Sequence, residues 1–537
     1  IDEVTSKVGI RKVQIDPYNG LQVNGEPVKL KGTCLHHDNG ILGAVCLPDA
    51  ERRKLTQLKD AGFNSIRSAH NPMATTTLQL CDELGFYVID ELTDIWNETK
   101  NVNDYANYFD LFWKKDIEKM VAKDFNHPSV IMYSNGNEIR EVGNAFGARL
   151  NRQNVHLFHA NDPTRYVTSG INGIVAAKET FYELIQELMS DETVRQKPVE
   201  EESEDLNAIN GMQAVLVGEL ADAIASHKKM SEIIDPFVDG LDIAGYNYLT
   251  GRHELEKERD RIVLGMETFP ADIFNLWQIV MRNPHVIGDF TWTGYDYLGE
   301  AGVGVYYYDG KRENFKPAYP DRAAYIGDID LIGHRRPISY YREIIYGQRG
   351  APYIAVQRLN KEGTPLRTPW MWGDVISSWT WTGCEGKLAT IEVYSPAEEV
   401  ELFLNGQSLG KQPCGLSQKY ITQYFVPYEA GTLEVVNYDN GQALESYSLE
   451  TAAAVSQLLV TVDKTQLQAN GQDLAYILIQ LADEQGHIST LQEAAGTVTV
   501  EGVTQLVALG NANPSSEGNY FDQTCATYDG QALAILR

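Results

Sequence analysis

Between residues 28 and 347 short runs of β-forming residues alternate with stretches that read as helices, and this alternation restricts the folds open to the chain more than any other feature. The β-rich runs fall at residues 30–35, 64–69, 87–91, 130–134, 166–170, 243–248, 262–266 and 286–292. Pro48-Asp49 is a helix start signal and opens a helix over 49–61; a second helix is expected over 74–84. In a third, over 109–124, Phe109, Phe112, Trp113, Ile117, Met120 and Val121 recur near helical spacing. Strands separated by helices imply a parallel sheet, and this number of them favours a closed (β/α)8 TIM barrel. In such barrels the chemistry sits at the C-terminal ends of the strands.

Residues 173–230 break the alternation with an acidic run, Glu200-Glu201-Glu202-Ser203-Glu204-Asp205, which reads as a solvated insertion. Beyond residue 350 short alternating strands replace the helices, and Asn405-Gly406 and Asn440-Gly441 are hairpin signals. The expected order is a catalytic barrel at 21–348, a β-sandwich at 352–452 and an immunoglobulin-like β-sandwich at 453–537. Residues 1–20 are expected to hold the last strand of a preceding sandwich, near 7–15, and a linker, as though the chain began inside a larger protein.

Several function classes are disfavoured. The net charge of −29 makes nucleic acid and anionic membranes poor partners, since both need clustered Lys and Arg. No apolar run reaches the roughly 18 residues of a membrane-spanning helix. Cys34, Cys46, Cys81, Cys384, Cys414 and Cys525 are scattered and form no C-x-x-C pair, so they read as free thiols rather than zinc ligands. There is no G-x-S-x-G elbow and no P-loop. A homo-oligomer is compatible with everything in the sequence.

Two glutamates stand where barrel chemistry is expected. Ser134-Asn135-Gly136-Asn137-Glu138 ends the fourth run and Leu264-Gly265-Met266-Glu267-Thr268 ends the seventh. Glycoside hydrolysis needs a carboxylic acid to protonate the leaving oxygen and, in a retaining enzyme, a second carboxylate about 5–5.5 Å away to form a covalent glycosyl intermediate. Such chemistry needs no metal or cofactor. Alone, either glutamate could simply end a strand or cap a helix; together they point to a paired-carboxylate site. Candidate substrate-binding groups at the same rim are His36, Arg67, His70, Asp90, Tyr246 and Trp292, with His37, Asn71, Glu91, Asn247, Asp289 and Asp296 nearby in sequence.

At these residues the chain resembles glycoside hydrolase family 2, the β-galactosidase, β-glucuronidase and β-mannosidase family. The motifs that carry the resemblance are Lys31-Gly32-Thr33-Cys34-Leu35-His36-His37-Asp38, Ile66-Arg67-Ser68-Ala69-His70-Asn71-Pro72, Asp90-Glu91, Asn126-His127-Pro128-Ser129-Val130 and Gly136-Asn137-Glu138. The resemblance implies Glu138 as acid/base, held protonated at neutral pH, and Glu267 as ionised nucleophile. It implies that Asn137 contacts the sugar 2-hydroxyl, Tyr246 hydrogen-bonds the nucleophile and Trp292 forms a sugar platform, with Arg67, His36 and His70 in the pocket. The family's magnesium-binding glutamate after the third strand has no counterpart in Leu92-Thr93-Asp94-Ile95-Trp96. The uronate-gripping Asn-x-Lys of β-glucuronidases is spelled by Asn314-Phe315-Lys316, but Asp328-Ile329-Asp330 stands where that motif is expected. Two acids there would repel a uronate, so a β-galactosidase is the leading expectation. A glucuronidase or mannosidase, or an inactive carbohydrate-binding fragment, are the alternatives.

Overall fold

The computed structural model describes residues 3, 5, 7–190, 218–308, 310, 316–365 and 367–537; the acidic run at 200–205, Asn314 and Phe315 lie outside the described residues. The chain divides into two compact units.

The first unit comprises residues 1–37, 63–293 and 368–370. It opens with an antiparallel meander of β1 (Val13–Asp16), β2 (Gly20–Val23) and β3 (Glu26–Val28). The strand expected near 7–15 thus starts only at Val13, and it pairs forward with β2, Val13 opposite Val23. Eight parallel strands follow: β4 (Leu30–Leu35), β5 (Ser65–Ser68), β6 (Tyr87–Glu91), β7 (Val130–Asn137), β8 (Tyr166–Asn172), β9 (Ala244–Asn247), β10 (Val263–Thr268) and β11 (Val286–Thr291). They close into a barrel, with β11 pairing back onto β4 through Gly288–Leu30 and Thr291–Thr33. Strands β5, β7, β9, β10 and β11 are buried at every residue, as parallel strands covered on both faces are. β7 runs past its expected end at Ser134 because Asn137 still pairs with Gly170 of β8.

Local chemistry sets the helix ends. Helix Thr75–Leu84 stops at Gly85, whose φ of 74° is the left-handed conformation that a C-terminal cap favours. Helix Ala145–Asn161 starts where Asn144 Oδ1 accepts the Gly147 N–H at 2.8 Å. Helix Ala106–Asp124 buries Phe109, Trp113, Ile117, Met120 and Val121 of the stripe that the sequence pattern marks, whereas Phe112 is exposed.

The second unit comprises residues 38–62, 294–367 and 371–537, and includes helix Pro48–Asp60. Two four-stranded antiparallel sheets share one core through Ile354, Ile391 and Tyr424 on one sheet and Val400, Leu402 and Val435 on the other. Trp379 and Trp381 fill that core. Both expected hairpins are present: Asn405 and Gly406 have φ of 51° and 77°, Asn440 and Gly441 50° and 76°, which suits a two-residue turn matched to strand twist. A further four-stranded sheet holds strands Gln457–Val462, Ala475–Ala482, Leu506–Gly510 and Gln531–Leu536. Among the described residues no helix is long and apolar enough to cross a membrane.

Candidate active site

Arg67 sits two residues from the start of β5 and is completely buried. A buried guanidinium must have its charge and donors met, and here the partners come from three other strands. Nε and Nη2 both donate to Glu91 Oε2, at 3.0 and 2.7 Å. Nη1 donates to Glu267 Oε1 at 2.7 Å and to the Met266 carbonyl at 3.1 Å. Nη2 also donates to Asn137 Oδ1 at 2.9 Å. One side chain therefore ties together the ends of β6, β7 and β10.

Glu91 is the second hub. Besides Arg67 it accepts from Ser134 Oγ at 2.6 Å and lies 2.7 Å from His70 Nδ1. Burial acts to raise its pKa, but Arg67, His70 and Ser134 outweigh burial and hold it below the usual carboxylate range. Burial acts to lower the pKa of His70, and the Glu91 hydrogen bond together with the Glu91 and Asp94 charges outweighs it, leaving His70 above its ordinary value. The His70 ring stacks on Trp292 with centroids 5.2 Å apart and planes 4° apart, and His36 meets Trp292 edge-on at 5.2 Å.

Glu138 follows the last residue of β7 with φ of 46°. Its N–H donates to the Gly170 carbonyl at 2.7 Å. Its Oε1 accepts from Asn172 Nδ2 at 2.7 Å and Asn247 Nδ2 at 3.2 Å. Asn172 does double duty, because its Oδ1 also caps helix Gly173–Ala177 through the Ile174 N–H at 2.9 Å. Glu267 stands on β10, 4% exposed. Burial pushes its carboxyl above the ordinary range; Arg67 and His70 pull it back, and the Glu138 charge pushes in the same sense as burial. Hydrogen bonds through Arg67, Asn137 and Asn247 join the two glutamates in one cluster that also holds Glu91 and His70.

Two expected residues are placed elsewhere. Tyr246 does not reach Glu267: its hydroxyl donates to Glu256 Oε1 at 2.8 Å, within a buried group that includes Arg252. The reason is strand alternation. Asn247 points to the cluster, donating to Asn137 Oδ1 at 2.9 Å, so its neighbour Tyr246 must point away. Asp90 is displaced in the same way, since Glu91 faces the cluster; Asp90 accepts from the Met73 N–H at 2.8 Å and pairs with Lys123 at 2.9 Å. The acids expected to repel a uronate are also committed. Asp328 is fully buried on Arg342 Nε at 2.7 Å, and Asp330 Oδ1 accepts the Ile332 and His334 N–H groups. Asp296 pairs with Arg336. Lys316 is exposed.

Besides Asn172, the sequence reading missed Tyr248, Trp370, Asp94 and Lys100. Tyr248, with φ of 57°, donates its N–H to the Glu267 carbonyl at 2.9 Å. Its ring stacks on Phe269 at 4.5 Å, and its hydroxyl accepts from Trp370 Nε1 at 3.0 Å. Burial, with the Glu267 charge next, raises the Tyr248 hydroxyl well above its ordinary pKa. The other two are Asp94 and Lys100, on the segment after β6: Asp94 Oδ1 accepts from Asn137 Nδ2 at 3.0 Å and from Lys100 Nζ at 2.7 Å. Nothing in the pattern around Lys100 or Trp370 signals a place near this cluster.

Similarity to known proteins agrees with this geometry. Residues 13–233 match the family model described as glycosyl hydrolases family 2, TIM barrel domain. Residues 458–537 match glycoside hydrolase family 2 C-terminal domain 5, and 386–445 match a domain of unknown function. A protein named beta-galactosidase from Bacteroides ovatus is 26% identical over all of this chain and 62% of its own length. A protein named putative beta-glucuronidase from Formosa agariphila is 28% identical over 96% of this chain and 46% of its own. A solved glycosyl hydrolase family 2 member from Bacteroides cellulosilyticus is 36% identical with a TM-score of 0.84, covering 99% of this chain and 62% of that one. The chain therefore spans about half to three-fifths of the length of these relatives.

Proposed function

We propose that this chain, which belongs to glycoside hydrolase family 2, is the catalytic part of a retaining exo-β-glycosidase that acts on terminal β-D-galactosides. The observation that carries the proposal is a chain of hydrogen bonds joining the two glutamates: Arg67 donates to Glu267 Oε1 at 2.7 Å and to Asn137 Oδ1 at 2.9 Å, and Asn247 Nδ2 donates to that same Asn137 oxygen at 2.9 Å and to Glu138 Oε1 at 3.2 Å.

In the proposed reaction Glu138 gives its proton to the glycosidic oxygen while Glu267 attacks the anomeric carbon. The C–O bond to the leaving group breaks and an ester to Glu267 forms. Glu138, now a carboxylate, takes a proton from water, and the resulting hydroxide displaces Glu267 with a second inversion, so the configuration is retained. Arg67 keeps Glu267 oriented and favours its ionised form. Asn172 and Asn247 fix Glu138 by donating to its Oε1. Asn137, held by Arg67 and Asp94, is the proposed partner of the sugar 2-hydroxyl. Trp292, stacked on His70, is the proposed platform.

The relatives carry both β-galactosidase and β-glucuronidase names, so the sugar is decided by measurement. A panel of aryl β-D-glycosides tests the proposal: the galactoside should be cleaved faster than the glucuronide or mannoside. Faster cleavage of the glucuronide would overturn the galactoside assignment, and no cleavage of any member would favour a carbohydrate-binding role.

A further inference from the structure

We propose that Asp94 is a specificity-determining residue that presents a carboxylate to the sugar and so rejects uronates, with Lys100 as its buried counter-ion. The inference deepens the proposed function and rests on it.

A uronate-binding site needs an accessible cation. Among the described residues two Arg or Lys cations reach Asn137: Arg67, fully buried on Glu91 and Glu267, and Lys100, whose ammonium is spent inward. It donates to Asp94 Oδ1 at 2.7 Å and to the Asn137 carbonyl at 3.1 Å, and its side chain is only 5% exposed. The exposed member of the pair is the acid: the Asp94 side chain is 43% exposed. Asp94 lines a groove of about 730 Å³ with His70, Asn71, Tyr105, Phe112 and Trp113, so it opens onto the same space as a residue of the catalytic cluster. Through Oδ1 it also holds Asn137, the proposed 2-hydroxyl partner, at 3.0 Å. A carboxylate offers about four lone-pair sites and no donors. With Oδ1 occupied by Lys100 and Asn137, Oδ2 can accept hydroxyls of a neutral sugar, whereas a uronate carboxylate would meet like charge across a short distance. Lys100 keeps the acid ionised and in place, and also braces the peptide that leads into Glu138.

The test uses Asp94→Asn, which keeps the shape, removes the charge and leaves the Lys100 ammonium unneutralised. Hydrolysis of aryl β-D-galactoside and aryl β-D-glucuronide is measured on both proteins, and binding of D-galactose and D-glucuronate is followed by ligand-observed NMR. The expected result is a galactoside-to-glucuronide ratio of kcat/KM that falls at least about tenfold in Asp94→Asn, with glucuronate binding strengthened relative to galactose. Lys100→Met should lower kcat on both substrates through the Asn137–Glu138 peptide without raising the glucuronide's share. Equal losses on both substrates in Asp94→Asn, with unchanged relative binding, would overturn the proposal and leave Asp94 a positioning residue for Asn137. If neither glycoside is cleaved, the glycosidase reading fails separately, and the binding ratio still decides the role of Asp94.

Discussion

Glu138 and Glu267 carry the account at the scale of single residues, and the contacts that hold each can be disturbed separately. Glu138→Gln should lower kcat/KM for glycosides with poor leaving groups by about 10²–10⁴-fold, the usual contribution of a positioned general acid. With a good leaving group the loss should be smaller and the basic limb of the pH–rate profile should vanish; an unchanged profile would refute the acid/base role. The His70–Glu91 pair predicts a pH dependence of stability. His70 is raised on folding, so its contribution is complete below its unfolded value of about 6.5 and is lost as pH rises through the folded value. Glu91 is lowered, so its contribution is complete above about 4.3 and is lost as pH falls through the folded value. Thermal melting should therefore show this pair's full stabilisation between about pH 4.3 and 6.5, and His70→Gln should flatten the alkaline side of that dependence. At this scale much of the site was legible. Glu138, Glu267, Asn137, Arg67, His70 and Trp292 fall in one cluster because strand ends are where a barrel gathers side chains. Tyr246 and Asp90 went wrong by a single position, since which of two neighbours faces inward depends on the register at the strand end. Tyr248 leaves that register altogether through its positive φ.

At the scale of elements, β8 contributes by what it lacks. A Cβ on Gly170 would lie 2.9 Å from both Arg67 Nη2 and Asn247 Oδ1 and 3.0 Å from Asn137 Oδ1, so any side chain there must displace the hydrogen-bonded groups that hold both glutamates. Gly170→Ala should cost on the order of 10²-fold in kcat/KM through misplacement of the catalytic groups, with a melting temperature that falls much less. A melting temperature that collapses along with activity would mean that the substitution breaks the barrel rather than the site. The barrel strands were legible because short β-forming runs alternate with helical patterns, as a parallel sheet with helical crossovers requires, even where a strand such as β5, Ser65-Ile66-Arg67-Ser68, is mostly polar. The segment after β6 was not. Residues 92–105 have no periodic pattern, and their place beside Asn137 is set by tertiary contacts, the Asn97 and Glu98 N–H groups on Glu141 Oε1 and Lys178 on Glu98. Trp370, far along the chain, reaches Tyr248 by a connection that no local signal encodes.

At the scale of the whole chain, a net charge of −29 sets a field that an anionic substrate must climb and a neutral one need not. Raising ionic strength should leave kcat/KM for an aryl galactoside nearly unchanged and raise that for an aryl glucuronide, because salt screens the repulsion. A fall for the glucuronide would mean that a local cation dominates its capture. The central claim, double displacement through Glu267, is tested most directly by trapping the intermediate. An activated 2-deoxy-2-fluoro-β-D-galactoside should inactivate the enzyme with a stoichiometric mass increase, faster than its glucuronic acid counterpart, and peptide mapping should place the sugar ester on Glu267. A label on any other residue, or turnover of ordinary aryl glycosides with inversion of the anomeric centre, would contradict the account.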